Sequence, residues 1–228
     1  MASGAKGAVT SRAAQAERTR QHLLSTAVRL FSESAYSDVA VADIAKAAGV
    51  AHGLIFHHFN NKRGIYLAAI EQAGIELDSA FEIDPALPPA EQMRRALGGH
   101  LQFLATHRGL ALRLVLGGRG ADPDAWKVFE STRGQAIIKA SVVMGLDPHN
   151  PAVRMTARAA IGAIDEACVF WLENAQPFPI SAVVDTVILM IIGTISAATV
   201  LDPSVDTSAA IEILKGAHAV AAPVGSAV

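Results

Sequence analysis

Apolar residues recur at helical spacing along most of the chain, and no stretch shows the strict alternation of a β-strand. In the first such segment Leu23, Ala27, Leu30 and Phe31 fall at positions i, i+4, i+7 and i+8, which form one face of a helix. The chain is therefore predicted to be all-α, with nine or ten helices. The predicted segments are 17–34, 39–48, 51–58, a helix capped by Asn60 or Asn61 that ends at 81, then 89–106, 109–116, 123–144, 151–174, 179–200 and 206–219.

The pattern breaks between residues 82 and 89, where Pro85, Pro88 and Pro89 fall within five positions and exclude a helix interior. The joint between the two parts of the chain is predicted there. The domains are assigned as 1–68, with residues 1–14 as a mobile basic arm, and 69–228. The small domain alone has too little core to be very stable, so the larger one should support it.

Composition adds a charge asymmetry to this picture. Hydrophobic residues make up 51% of the chain and charged ones 18%, which suits a protein with a sizeable core. Residues 1–66 carry 8 Lys and Arg against 4 Asp and Glu, whereas the remainder carries 11 against 17. A basic head on an acidic body favours a polyanion as the partner of the head.

Other features bear on the compartment. The single cysteine, Cys168, excludes an internal disulfide, and the N-terminus lacks the apolar core of a signal peptide. Residues 186–201 are nearly free of charge, but they are shorter than the roughly 18 residues of a membrane span, and Asp185 and Asp202 flank them. We therefore predict a cytoplasmic protein with no membrane partner, no cofactor and no metal.

The two short helices over 39–48 and 51–58 carry the functional signal. Ala45 is a small residue where the helices would touch, and Gly49 suits a left-handed turn between them. Val50 and Ile55 would lock the second helix onto the first. This is the spacing of a helix-turn-helix, whose second helix offers its outer face to the major groove of DNA.

Three segments extend the pattern: LLSTAVRLF at 23–31, VADIAKAAGV at 41–50 and IFHHFNNK at 55–62. Together they resemble the N-terminal domain of the TetR (tetracycline-repressor) family of bacterial transcription regulators, over about residues 16–68. The resemblance implies a three-helix DNA-binding domain followed by a helical ligand-binding and dimerisation domain. Beyond residue 68 only the size, the helix count and an apolar penultimate pair of helices fit the family.

The resemblance also implies roles for individual residues. The helix over 51–58 would be the recognition helix, with His52 and Gly53 at base edges and His57 on the same exposed face. Lys62 would grip a phosphate near a helix N-terminus, where the helix dipole favours an anion. Arg18 and Arg20, together with the arm, could reach phosphates or the adjacent minor groove. The expected DNA-binding residues are Arg18, Arg20, Lys46, His52, Gly53, Leu54, Phe56, His57 and Lys62.

The sequence departs from the family pattern at four positions. Phe56 replaces a usual tyrosine, Leu54 a threonine, Ala51 a serine, and Val39 the threonine that opens the second helix. Each change removes a hydroxyl contact or a helix cap worth about 0.5–2 kcal/mol. The DNA interface should therefore be poor in neutral hydrogen bonds, and Leu54 could pack on a thymine methyl instead.

Histidines cluster in the recognition helix at His52, His57 and His58. Neighbouring side chains on a helix project about 100° apart, which disfavours chelation of one metal ion by His57 and His58. His58 is expected inside the domain. The exposed His52 and His57 could strengthen DNA binding in mild acid, because a histidine side chain ordinarily gains a positive charge as the pH falls below about 6.5.

Two other patterns can be explained by a structural role as well as by a functional one. The glycine-rich segment 117–120 lacks the Lys and Ser/Thr of a phosphate loop and is expected to be a connector. Asp165 and Glu166 lie in an apolar helix, where they could hold a cationic ligand or serve acid/base chemistry. The favoured explanation is that they face solvent or pair with Arg158 and its neighbours.

The resemblance implies a homodimer that works as a ligand-responsive repressor. Two recognition helices would meet successive major grooves, roughly 34 Å apart, on a near-palindromic operator. A small, mostly apolar effector would enter the body, shift the fourth helix (61–81) and release the DNA. Helices 151–174 and 179–200 would pair with their symmetry mates, which would bury Ile188, Met190, Ile191, Ile192 and Ile195.

Aromatic residues of the body are candidates for the effector pocket, although each could instead belong to the core. They are Phe103, His107, Trp126, Phe129, Phe170 and Trp171. No Ser, His and acid occur at a recognisable catalytic spacing, so no enzyme is predicted. The alternatives are a helical small-molecule-binding protein or enzyme without DNA binding, and a membrane protein.

Overall fold

A computed structural model describes residues 4–112 and 123–219, which are helical and contain no β-strand, as the predicted all-α class requires. Within these ranges, the side chains of 4–12, Pro123, Ala125, Val128, Phe129 and Thr132 are not described. The described helices are α1 (Gly4–Glu33), α2 (Val41–Ala47), α3 (Gly53–Phe59), α4 (Lys62–Ala80), α5 (Pro89–Thr106), α6 (Arg108–Leu110), α7 (Pro123–Val143), α8 (Pro151–Glu173), α9 (Ile180–Ser196), α10 (Ala198–Leu201) and α11 (Ser208–Ala219).

Asparagine side chains cap the starts of two helices. The Asn61 side chain accepts a hydrogen bond from the backbone N–H of Gly64 at 2.8 Å before α4, and Asn150 accepts from Ala152 at 2.8 Å before α8. The helix predicted over 179–200 is divided at Ala197 into α9 and α10. The end of the helix predicted over 109–116, the segment 117–120 and the predicted cap Asp122 lie outside the described residues.

The first helix begins earlier than the predicted residue 17, because α1 is helical from Gly4 onward. Alanine and arginine are the most frequent residues over 4–20, and both are good helix formers. The first proline of the chain is Pro85, so nothing in this segment forces a helix to end.

The chain divides into two compact units, and neither coincides with an assigned domain. The head unit consists of Met1–Gly74 together with Gly109–Phe129, and the body unit of Ile75–Arg108 together with Glu130–Val228. The head unit thus extends past residue 68 and includes a second, distant stretch of chain.

The core of the head unit joins α1 to the helix-turn-helix. Its most enclosed side chains are Leu23, Phe31, Ile44, Ile55 and Ile65, each at most 1% exposed. His22 of α1 makes a hydrogen bond through Nε2 to the carbonyl of Ala48 at 3.1 Å, which fixes the end of α2 against α1.

In the body unit, α9 packs against α5, α8 and α11. Arg94 of α5 donates to Asp185 of α9 at 2.8 Å and to the carbonyl of Ala217 at 2.9 Å, which ties three helices together. Ile188, Ile191 and Ile195 are at most 8% exposed within their own chain, so the expectation that a partner buries them is wrong. An apolar helix surrounded by three neighbours buries one of its sides without a second copy.

The same helix bears on the membrane alternative. Within the described residues one stretch, Ile180–Leu201, is long and apolar enough to cross a membrane, and 33% of its most apolar window is buried. The predicted shortfall in length was therefore wrong, because the helix begins before Asp185. The ion pair between Asp185 and Arg94 offsets the charge inside this stretch.

Candidate nucleic-acid interface

The two short helices α2 and α3 pack as the sequence predicts. Ile44 and Ala45 of α2 are at most 3% exposed, and so is Ile55 of α3. Gly49 has a φ of 65°, the left-handed conformation expected of the turn. The N-cap residue of α2 is Ala40, which has no side-chain cap, whereas Val39 precedes it and is buried; the Asp43 carboxylate accepts the N–H of Ala40 at 3.0 Å. Asp43 therefore offsets part of the missing cap.

The outer side of α3 forms a recognition face, which we define as His52, Gly53, Phe56 and His57. All four residues are exposed. A Cβ built on Gly53 would meet nothing within 4 Å, so the helix backbone is bare at this point. Leu54 and His58 are half-buried at the margins of the face. The structure thus brings four of the predicted DNA-binding residues onto one surface.

Lys62 stands at the start of α4, held by two contacts that the sequence did not reveal. Its Nζ lies 4.4 Å from the centroid of the Tyr36 ring and 3.5 Å from the carbonyl of Ser37. Tyr36 in turn lies 4.6 Å from the ring of Tyr66, centroid to centroid. The ammonium is therefore pre-positioned beside a helix N-terminus, as a phosphate contact requires.

The remaining predicted cations occupy different settings. Arg18 and Lys46 are exposed, and Arg18 donates to Gln15 at 2.7 Å. Arg20 is half-buried, with its guanidinium 5.4 Å from the centroid of the Phe59 ring and 3.9 Å from Glu17. Arg20 is thus partly committed to packing α1 on α3.

A further cation, Arg63, escaped the sequence analysis. It pairs with Asp124 at 2.7 Å within the head unit, and both side chains are about half exposed. Lys127 lies 3.5 Å from the same carboxylate. The hydrogen bond from Arg63 and the charge of Lys127 lower the pKa of Asp124, which keeps it ionised. Residues so distant in sequence leave no local pattern from which the pair could have been found.

The histidines of α3 differ in their surroundings. Burial, followed by the charges of His57 and Arg20, lowers the pKa of His58 below its ordinary value of 6.5. His58 therefore stays neutral at pH 7, although it is half-buried and not inside the domain as expected. The rings of His57 and His58 lie 5.0 Å apart. Within the described residues, no group of three or more His, Cys, Asp or Glu side chains could hold a metal ion.

The candidate effector residues differ in burial and lie in different parts of the chain. The ring of Phe103 on α5 stacks at 4.4 Å on the ring of His107, the residue that follows this helix. Trp171 is 2% exposed and donates to the carbonyl of Phe178 at 2.8 Å, whereas Phe170 is 58% exposed. Trp126 is half-buried within the head unit, and the side chain of Phe129 lies outside the described residues.

The acidic pair of α8 splits between its two simpler explanations. Asp165 forms an ion pair with Arg133 of α7, which also contacts Glu130 at 3.2 Å. Arg158 reaches the same Glu130 at 2.7 Å, while Glu166 is exposed. The four paired charges compensate one another and join α7 to α8.

Comparisons with known proteins agree with this geometry. Residues 23–69 match the family described as bacterial regulatory proteins, tetR family. The chain is 25% identical over 186 residues to the Fatty acid metabolism regulator protein of Bacillus subtilis (strain 168), which covers 76% of this chain and 93% of that protein.

Two solved structures share the fold. A tetR-family transcriptional regulator from Streptomyces coelicolor superposes with a TM-score of 0.74 at 21% identity, covering 87% of this chain and 89% of that one. The transcriptional regulator FadR from Bacillus subtilis, in complex with stearoyl-CoA, gives a TM-score of 0.59 at 21% identity, covering 75% and 96%.

The fold and the recognition face define a helix-turn-helix transcription regulator that binds DNA. Within the chain, the helix-turn-helix region over residues 23–69 matches the TetR family of bacterial regulators.

Proposed function

We propose that the protein is a homodimeric repressor that leaves a near-palindromic operator when a small, mostly apolar effector binds its body unit. The observation that carries this proposal is the recognition face on α3, exposed and accompanied by the cations Arg18, Lys46 and Lys62. Cations bring the protein to the phosphates, and an exposed helix face reads the bases between them.

A continuous uncharged stripe supports the dimer. Along α9 and α10 the exposed residues recur every three or four positions, which places them on one side of the helix. Leu189 is 56% exposed and Val200 82% exposed. We call this stripe the apolar face, and it consists of Ala182, Thr186, Leu189, Gly193, Ala197 and Val200. A second copy of the chain, related by a two-fold axis, would cover it.

The neighbouring helix favours a protein over a lipid as the cover. The exposed residues of α8 include Met155 and Phe170, which are 61% and 58% exposed, but also Arg154, Arg158 and Glu166. Charges at these positions would be costly in a hydrocarbon core, whereas a protein interface can pair or hydrate them at its rim. A cytoplasmic dimer therefore fits this surface better than a membrane protein does.

The effector class follows from the apolar body and from the relatives. Bacillus subtilis FadR holds stearoyl-CoA, and a relative of near-full length bears the name of a fatty acid metabolism regulator. The body unit has a core of Leu, Ile, Val and Met, and the stacked Phe103 and His107 are candidates for its ligand-facing residues. We propose a long acyl chain as the apolar part of the effector.

Helix α4 is the proposed link between effector and DNA. It begins at Lys62 in the head unit and ends at Ala80 in the body unit, as one uninterrupted helix. Gly99 of α5 lies so close to the carbonyl of Ala80 that an added Cβ would clash with it. An effector that shifts α5 would therefore move the end of α4. Release requires that the effector bind the DNA-free form more tightly, since equal affinities shift nothing.

The test begins with genomic selection. Purified protein is mixed with sheared DNA of its source organism at about 100–150 mM salt, where nonspecific binding is weak, and the retained fragments are sequenced. A shared near-palindrome is expected. Stearoyl-CoA, free stearate and CoA are then added to the protein bound to this duplex, with a duplex of scrambled half-sites as control. Release by either acyl compound but not by CoA supports the proposal. A selection that enriches no sequence, with or without stearoyl-CoA, overturns it.

A further inference from the structure

Phe56 is an anomaly on the recognition face. Ile55 and Phe59 of α3 are at most 5% exposed and belong to the core, and Leu54 is half-buried. Phe56 is 44% exposed, and its ring lies 5.1 Å from that of His52, centroid to centroid. Its role is therefore not explained by burial in the head unit.

The chemistry of a phenyl ring narrows what Phe56 can contact on DNA. It can neither donate a hydrogen bond to a phosphate nor pair with the polar edge of a base. In the major groove, the apolar group that base edges present is the C5-methyl of thymine. The nearby cations of the head unit make DNA, rather than an apolar protein partner, the matching occupant.

We propose that Phe56, with the ring of His52 beside it, selects thymine in each operator half-site by packing on its C5-methyl group. This inference rests on the proposed function, because it requires specific DNA binding. It assigns to this position an apolar contact that needs no phenolic hydroxyl.

The shape of α3 suits this contact. Gly53 and Phe56 are three positions apart, so they occupy the same side of the helix. The space beside Gly53 is open, so the backbone can approach the base edges there. A close approach at Gly53 brings the longer Phe56 side chain into the groove. Leu54 lies about 200° around the helix from Phe56, at the opposite margin of the face, so its contacts are separable from those of Phe56.

The experiment removes the methyl group alone. In the recovered operator, each thymine is replaced in turn by deoxyuridine, which preserves base pairing and the polar edge. We expect one position per half-site at which the replacement weakens binding about fourfold, the effect of one buried methyl group. Replacement of both symmetry-related thymines should weaken binding about 15-fold if the two half-sites contribute independently.

A double-mutant cycle assigns the effect to its residue. In Phe56→Ala, the sensitive thymine should no longer be distinguished from deoxyuridine. Ile75→Ala is the matched control, since Ile75 is a 56% exposed apolar residue outside the head unit and should keep the full effect. Thermal unfolding of each variant checks that its fold is intact.

The outcomes separate this inference from the proposed function. If the protein prefers its operator over the scrambled duplex but the deoxyuridine scan is flat, the thymine reading is wrong and the repressor proposal stands. If the effect persists in Phe56→Ala and disappears in Leu54→Ala, the methyl is read by Leu54 and the inference is also wrong. If no duplex is preferred at all, the proposed function has failed first.

Discussion

Two surfaces of this protein expose apolar side chains, and their neighbours give them opposite meanings. The recognition face presents Phe56 at 44% exposure, with the cations Arg18, Lys46 and Lys62 in the same unit. The apolar face of α9 and α10 presents Leu189 and Val200 at 56% and 82% exposure in a stripe that contains no charge. Exposed apolar groups alone do not identify a partner; the charges around them do.

The two surfaces also differ in extent. The recognition face offers one large apolar side chain, Phe56, to DNA, whereas the apolar face runs along α9 and α10 from Ala182 to Val200. A single apolar side chain can add specificity to binding that charge attraction supports. A continuous apolar stripe buries enough surface to drive association by itself. Changes at the apolar face should therefore have the larger effects.

The largest effect is expected from Leu189→Glu. The two-fold axis would bring this charge and its symmetry mate into one apolar interface, where neither has a partner. We expect the dimer dissociation constant to rise at least about 100-fold, with loss of operator binding at nanomolar protein. Sedimentation and light scattering at micromolar concentration measure the change. The matched control is Ala209→Glu, an exposed alanine on α11. A Leu189→Glu protein that stays dimeric would sink the proposed interface.

The next effect concerns two glycines of the head unit. A Cβ at Gly64 would clash with the carbonyl of Phe59, so the turn between α3 and α4 would have to move. Gly64→Ala should cost more than about 2 kcal/mol in the free energy of unfolding and weaken operator binding. Gly53→Ala meets open space and should leave stability unchanged or raise it by up to about 1 kcal/mol, while it still weakens operator binding. Urea unfolding and fluorescence anisotropy separate the two. Equal losses of stability in both variants would contradict the placement of α3 against α4.

The helix-turn-helix of the head could be predicted in detail, because the geometry at several of its positions allows few residue types. Gly49 must adopt a positive φ, Ala45 must be small, and Ile55 must lock the second helix, and the structure confirms each assignment. In the body, the start of α8 was equally predictable, because Asn150 caps it and Pro151 follows. The contacts around Lys62 and the ion pair between Arg63 and Asp124 were not predictable, because they join residues distant in sequence.

The orientation of α9 shows a different limit. Nearly every residue of this helix is apolar, so periodicity cannot reveal which side faces the helix's own chain. The prediction selected Ile188 for the dimer interface, whereas the structure buries Ile188 and exposes Leu189. Which of two adjacent residues of α9 is buried depends on where α5, α8 and α11 lie. The positions of these helices result from packing and not from a sequence motif.

Histidines extend the comparison between exposed and enclosed groups. Burial lowers the pKa of His100 in the body unit to about 4, from an ordinary value of 6.5. The unfolded chain therefore takes up a proton first, so stability is full above pH 6.5 and is lost as the pH falls towards 4. Between pH 7 and pH 5 we expect a loss of about 2 kcal/mol in the free energy of unfolding, measured in urea. His100→Gln should remove this share of the pH dependence. An unchanged loss in the variant would show that other groups cause it.

The smallest expected effect tests whether charge alone tunes the head. Asp124 holds Arg63 at 2.7 Å, directly after the proposed phosphate contact at Lys62, and so competes with phosphate for that guanidinium. Asp124→Asn should tighten operator binding about two- to threefold at 100 mM salt, and it should steepen the slope of log affinity against log salt by up to about 0.9. Glu212→Gln is the control, because Glu212 forms an exposed ion pair with Lys215 in the body unit at 2.7 Å. Both variants remove one negative charge, so an equal gain in the two would reflect net charge. Higher operator affinity in Asp124→Asn alone would mean that the Asp124 carboxylate weakens DNA binding by the head unit.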